Sequence, residues 1–184
     1  MDLNGVKHYI EVEKGDANAI VKMRNNTISS TLLIEVVSRN KFDVVKYLVE
    51  KGANVNDTDI NGNTALPYAL HNTVCRDYID KLVEFLIDSG ADINHKFCDK
   101  FKPLHIAFNK RNVHLVKYMI CKGAKFDMND LKQAKFCACP DNRIIEVLSS
   151  QLISSFSHRE YYKLCKMLNF YLIDDLTLIV TKCN

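Results

Sequence analysis

Val44-Val45-Lys46-Tyr47-Leu48-Val49-Glu50-Lys51-Gly52-Ala53-Asn54-Val55-Asn56 decides the fold, because the chain writes it three times. The phrase returns as Leu82-Val83-Glu84-Phe85-Leu86-Ile87-Asp88-Ser89-Gly90-Ala91-Asp92-Ile93-Asn94, and as Leu115-Val116-Lys117-Tyr118-Met119-Ile120-Cys121-Lys122-Gly123-Ala124-Lys125-Phe126-Asp127. Its glycines lie 38 and then 33 residues apart. A period in that range marks a stack of like units rather than one enclosed core. Such a stack offers a long surface suited to touching another macromolecule. Within the phrase, Val44, Val45, Leu48 and Val49 fall on one helical face. Gly52, Gly90 and Gly123 follow that helix, where a left-handed residue ends it at least cost.

A second shared segment precedes each phrase. It reads Asp59-Ile60-Asn61-Gly62-Asn63-Thr64-Ala65-Leu66-Pro67-Tyr68-Ala69-Leu70 in the second unit and Lys100-Phe101-Lys102-Pro103-Leu104-His105-Ile106-Ala107-Phe108 in the third. In the first it is weaker, Ser30-Thr31-Leu32-Leu33-Ile34-Glu35-Val36-Val37. Asn61-Gly62 is a tight-turn dipeptide. Thr64 is placed to cap the next helix with its hydroxyl, and Pro67 falls in that helix's first turn, where a missing N–H is tolerated. Ala69 and Ala107 are small where paired helices approach. Together the two segments resemble the ankyrin repeat, roughly D-x-x-G-x-T-P-L-H-x-A, a turn, then x-V-V-x-L-L-x-x-G-A-x-x-N. The resemblance is strong over residues 26 to 127. It implies an all-α solenoid of stacked helix pairs with short hairpin-like fingers, and helical caps at both ends.

Departures are informative. Pro67 stands in the family's histidine position, Phe97 in the finger's acidic position and Lys100 in its glycine position. His105 keeps the family histidine, for which the resemblance implies a structural role. Five extra residues within His71 to Lys81 predict an enlarged turn between the second unit's helices. The expected organisation is a single domain over 1–184. It comprises an N-terminal cap pair (1–25), repeats over 26–58, 59–96 and 97–129, a degenerate pair (130–150) and a C-terminal helical cap (151–184). The N-terminal pair rests on Ile10-Glu11-Val12 and Ile20-Val21-Lys22-Met23 echoing Ile34-Glu35-Val36 and Val44-Val45-Lys46-Tyr47 at a constant offset of 24. In the C-terminal cap, Ser157 to Glu160 reads as a capping box. Leu176 to Val180 reads as a closing helix or, alternatively, a strand.

Composition narrows the function. No secretory h-region and no apolar run of bilayer-spanning length occurs in the sequence, so no membrane association is expected. Seven cysteines, an odd number without secretory context, read as reduced thiols. The net charge is +3, but residues 95–125 alone carry +7, leaving −4 elsewhere. That block favours an acidic partner surface, against the plainer reading of a solvated lysine-rich face. Phosphate-loop, dinucleotide, serine-elbow and HExxH motifs are absent from the sequence, so neither catalysis nor a cofactor is expected. His95 and Cys98 with Cys137 and Cys139 lack the spacing of a structural zinc site, so no metal is expected. His71 and Cys75, four apart, match a nucleophile pair in spacing alone, and no oxyanion pocket or orienting acid is expected to serve them.

The resemblance implies binding through the concave face formed by finger tips and first helices. Carried over by position, that face takes Ile60, Asn61, Asn63, His71 and Asn72 in the second unit. The third contributes Cys98, Asp99, Lys100, Phe101, Asn109 and Lys110, and the first Thr27, Ile28, Ser30, Ser38 and Arg39. Phe101 with Ile60 is the candidate anchor, unless Phe97 or Phe101 tucks beneath the finger as core. A convex site, on the outer side of the second helices or at the insertion near Arg76, Asp77 and Tyr78, is the competing location. Unequal units and a Lys-, Asn- and Ile-rich composition without Trp are similar to poxvirus ankyrin proteins. That likeness implies a non-enzymatic host-range or immune-evasion factor. It would act as a monomer in the host cytoplasm or nucleus, masking a host regulatory protein, with NF-κB signalling as a candidate. No C-terminal F-box segment is recognisable. The alternatives are a substrate adaptor for a cullin ubiquitin ligase, nucleic-acid binding through the basic third unit and a cellular ankyrin scaffold.

Overall fold

The computed structural model describes residues 2–22, 29–72, 75–97, 101–136 and 141–153. The elements in chain order are α1 (Leu3–Glu11), β1 (Ile20–Lys22), β2 (Ser29–Thr31), α2 (Leu32–Ser38), α3 (Phe42–Glu50), α4 (Ala65–His71) and α5 (Arg76–Asp88). Then follow α6 (Pro103–Asn109), α7 (Val113–Cys121), α8 (Met128–Phe136) and α9 (Asn142–Ile153). Within units, α2 packs on α3, α4 on α5, α6 on α7 and α8 on α9. Between units, first helices meet first helices, in the order α2, α4, α6, α8. Second helices form a parallel row of α1, α3, α5, α7 and α9. The step from α3 to α5 is made by Phe42, whose ring stands edge-on to both Tyr78 and Phe85. This is the solenoid the repeated phrase predicts.

Each helix is short and gains its stability from burial between neighbours rather than from its own length. Leu33, Leu66 and Leu104 are fully buried at equivalent places in the first-helix row. Such side chains contribute about 1.5–3 kcal/mol each. Ala69 and Ala107 are completely buried where α4 meets α6. The second helices α3, α5 and α7 end in the same way. At Gly52, φ is +90°. Its N–H donates to Val49 O and the Ala53 N–H donates to Leu48 O. Gly90 with Ala91, and Gly123 with Ala124, repeat the pattern. These are Schellman caps, which require the left-handed backbone that glycine adopts freely. Of the first helices, α2 and α6 end alike at Asn40 and Arg111, at φ 57° and 53°.

Asparagine side chains stitch the units along the edge beyond those caps. Asn18 Nδ2 donates to Gly52 O at 3.4 Å and its Oδ1 accepts from Asn54 N at 2.7 Å. Asn56 does the same to Gly90 O and Asp92 N, at 2.9 and 2.7 Å. Asn94 does so to Gly123 O and Lys125 N, at 3.3 and 2.7 Å. The next residue in the series is Asp127, whose carboxylate caps α8 by accepting from Asn129 N and Asp130 N.

Three expectations need correction. The N-terminal segment is not a helix pair. After α1, Asp16 closes a turn on Asn18 N. Ile20, Val21 and Lys22 then pair antiparallel with Thr31, Ser30 and Ser29. Two β-branched residues suit a strand, and the 24-residue echo aligned this strand with a helix. α1 is a second helix packed against α3, with a finger strand after it. Thr64 does not cap α4, and its hydroxyl is buried without a partner among the described residues. The cap is made one unit earlier, where Thr31 Oγ1 accepts from Ile34 N at 3.2 Å. The extra residues of the second unit chiefly lengthen a helix. α5 has thirteen residues where α3 and α7 have nine, one added turn. Pro67 is buried in the first turn of α4, as expected. α8 and α9 form the anticipated degenerate pair, with Leu131, Ala134, Ile144, Ile145 and Leu148 buried. The capping box at Ser157 and the closing segment at Leu176 lie outside the described residues.

Candidate functional site

The first-helix row and the fingers define one face, and a pocket lies on it between the second and third units. Finger two is closed by its own acid. Asp59 N donates to Asn63 O at 2.9 Å, and Asp59 Oδ1 accepts from Asn61 N and Asn63 N at 2.8 and 2.9 Å. The Tyr68 hydroxyl donates to Asp59 Oδ2. Finger three bridges Phe97 and Phe101 at the equivalent positions, with backbone hydrogen bonds in both directions at 2.7 and 3.1 Å. Phe97 has no carboxylate to fold inward. Its ring instead stands edge-on to Tyr68 at 6.3 Å and lies 5.1 Å from His71. Phe97 is half-buried whereas Phe101 is 50% exposed, so Phe97 is the ring that tucks in.

Between this finger and the ends of α4 and α6 lies a pocket of about 300 Å³. Phe97, Phe101 and Ile106 supply its apolar surface, and His71, His105, Asn109 and Lys110 its polar groups. Burial, reinforced by the Lys110 charge, lowers the pKa of His71. Burial also lowers that of Lys110. The Lys110 ammonium donates to the backbone carbonyl of Asn72, whose side chain in turn donates to Val37 O at 3.1 Å. Behind the pocket, His105 Nε2 lies 2.5 Å from Asp130 Oδ1, and Lys102 Nζ lies 2.7 Å from Asp130 Oδ2. Burial works against the Asp130 carboxylate. Hydrogen bonds from Lys102, His105 and the Asp127 N–H outweigh it and hold the carboxyl below its ordinary pKa of 3.8. His105 thus ties the third unit to α8, the structural role expected of it, through a side chain rather than the backbone.

The pocket gathers four of the sequence-predicted residues, namely His71, Phe101, Asn109 and Lys110, with Asn72 holding Lys110. Ile60, 69% exposed, and Asn61 stand at the tip of finger two. Asn63 is not a surface residue. It is 2% exposed and folded back onto Asp59. Ser30 is likewise buried in the first finger. The Ser38 hydroxyl is occupied by Glu35 O, and Arg39 pairs with the Glu35 carboxylate. Thr27, Ile28, Cys98, Asp99 and Lys100 lie outside the described residues. Phe97, His105 and Ile106 were not among the predicted contacts. The substitution of Phe97 for the acid held by Asp59 was the available signal.

The basic block is partly neutralised by acids from other units. Lys102 meets Asp130, Lys122 meets Asp88 at 2.8 Å, and Arg111 lies 3.8 Å from Asp141. The competing convex location loses Tyr78, whose hydroxyl accepts from Phe42 N at 3.0 Å and donates to Asn40 O. Among the described residues, no group of three or more His, Cys, Asp or Glu could hold a metal ion. His95 is engaged with Gly62 O at 2.7 Å, while Cys98, Cys137 and Cys139 lie outside the description. The Cys75 thiol is exposed. No described helix is long and apolar enough to cross a membrane.

Comparison with known proteins agrees with this architecture. A family model for ankyrin repeats, three copies long, matches residues 2–96 and again 70–154. An ankyrin repeat protein of Rickettsia bellii is 34% identical over 147 residues, 75% of this chain and 75% of its own length. One from Borreliella burgdorferi is 27% identical over 58% of this chain and 46% of its own length. A fowlpox virus ankyrin repeat protein is 30% identical over 68% of this chain. The match covers 30% of that viral protein, so the chain spans less than half of the latter two relatives.

Proposed function

Because the chain belongs to the ankyrin-repeat family, we propose that it is a non-enzymatic protein-binding module whose partner seats in the pocket bounded by finger three, α4 and α6. One observation carries the reading. A half-exposed aromatic, an exposed asparagine and a half-buried lysine converge on an apolar recess, at the junction of two units. Interfaces concentrate their energy where a side chain fills such a recess and excludes water. The similarity to bacterial and poxviral ankyrin proteins alike supports a binding module in general. Masking of a host regulatory protein is the narrower form of this proposal, and the fowlpox relative is what supports it.

The test is affinity capture from host-cell lysate with the wild-type chain and with Asn109→Arg, which places a long side chain at the pocket mouth. The expected result is loss of the enriched partner on the variant, with unchanged circular dichroism. Capture of the same partner in the same yield by both would refute the location.

A further inference from the structure

Among its described residues the third unit holds two half-buried lysines, Lys102 and Lys110, and they are treated differently. Lys102 has the Asp130 carboxylate at 2.7 Å. Lys110, at the pocket, meets a backbone carbonyl and has no carboxylate partner among the described residues. Part of the dehydration of its ammonium is already borne in the folded chain, and its lowered pKa has that origin. A carboxylate arriving from outside would therefore gain a charge-assisted bond without that group being stripped of water anew. Beside Lys110 the pocket walls are Phe97, Phe101 and Ile106. The volume, about 300 Å³, lies at the lower edge of ligand sites, which run from roughly 300 to 1,000 Å³. That suits an inserted side chain better than a whole cofactor.

Resting on the reading above, we propose that the pocket recognises a protein segment in which a bulky apolar side chain, seated among Phe97, Phe101 and Ile106, lies next to an Asp or Glu that pairs with Lys110. The apolar group supplies the anchor and the carboxylate supplies the choice. Neutral segments of the same shape leave Lys110 half-dehydrated with a carbonyl but no counter-charge, so they are rejected.

The experiment pans a random linear peptide library displayed on phage against the full chain and, in parallel, against Asn109→Arg. Enriched peptides are synthesised with their acid intact and with Asp→Asn or Glu→Gln. Both forms are titrated by fluorescence polarisation on the wild type, Lys110→Gln and Lys110→Arg. The expected sequences carry a bulky apolar residue within a few positions of an acid. The amide form should bind the wild type and Lys110→Arg roughly ten- to a hundredfold more weakly. On Lys110→Gln the two forms should bind nearly alike. Equal affinity of acid and amide forms for the wild type overturns the proposal, whatever Lys110→Gln does. So does a panning that enriches nothing. Peptides that require an open pocket yet ignore the acid overturn this inference alone. Peptides that bind Asn109→Arg as well as the wild type overturn the pocket reading with it.

Discussion

Finger two and finger three close at equivalent positions 38 residues apart in the chain, Asp59 on Asn63 and Phe97 on Phe101, and then do opposite things. The first folds inward. Its carboxylate gathers two backbone N–H groups and a tyrosine hydroxyl. The second has a ring where that carboxylate stood, and the ring packs against Tyr68 and His71 of the preceding unit. One change of residue type converts a self-satisfied turn into a pocket wall. In a stack of similar units, a new recess forms where a unit abandons a structural residue that its neighbour retains.

The strongest way to break this comparison is to ask whether the two fingers stand on equivalent helices. Leu66 and Leu104 are both essentially fully buried in the first-helix row. Leu66→Ala and Leu104→Ala should each destabilise by about 2–5 kcal/mol through the cavity left behind. Denaturant melts of the two variants test this, and indifference to either would remove it from the row. The next test separates the fingers themselves. Asp59→Ala strands the donors it served and should cost about 1–3 kcal/mol. Phe97→Ala should weaken partner capture more than it lowers the melting midpoint. If Asp59→Ala were the variant that lost the partner, the division of labour would be reversed.

Acid sharpens the contrast further. Lys102 stands where Thr64 stands, so the third unit is rooted through an ion pair to Asp130 and the second is not. Opposed by burial but lowered on balance by its hydrogen bonds, the Asp130 carboxyl titrates below 3.8 in the folded chain. Its contribution is therefore fully present above the ordinary carboxylate value, about 4. It is lost as pH falls from there through the folded value. Hydrogen exchange between pH 5 and 3 should show protection in α6 and α8 declining before that in α2 and α4, and Asp130→Asn should abolish the difference. The smallest effect belongs to the edge, where the units are alike. Asn56→Asp and Asn94→Asp each keep an acceptor and lose a donor, so both should cost about 0.5–1.5 kcal/mol, by similar amounts in thermal melts. Unequal losses would mean that the edge, too, has diverged.

The repeated phrase made the two helix rows legible, since its apolar stripe and its glycine recur with their spacing intact. The N-terminal strand was not legible. Ile20-Val21-Lys22 suits a strand or a helix face, and only the pairing with Ser29, Ser30 and Thr31 decides between them. The pocket was half legible. His71, Phe101, Asn109 and Lys110 follow from position within the repeat, while Phe97 and Ile106 depend on which way a finger ring turns. Position alone also misplaced Asn63, because its outward slot is overruled by a carboxylate four residues away that needs its N–H. The charge block overstates the free charge for a related reason. A count along the chain cannot register Asp88 and Asp141, which approach Lys122 and Arg111 only through stacking.

Asp127 carries a consequence for how such a chain can grow. Asn18, Asn56 and Asn94 are bifunctional, each giving one proton and taking another across a unit boundary. Aspartate at 127 is monofunctional, like a capping reagent in polymer synthesis. A duplicated copy of the second unit spliced in ahead of it would find matching chemistry on both flanks. The same copy spliced in behind it would face an edge that can accept and cannot give, so tandem expansion has a preferred side.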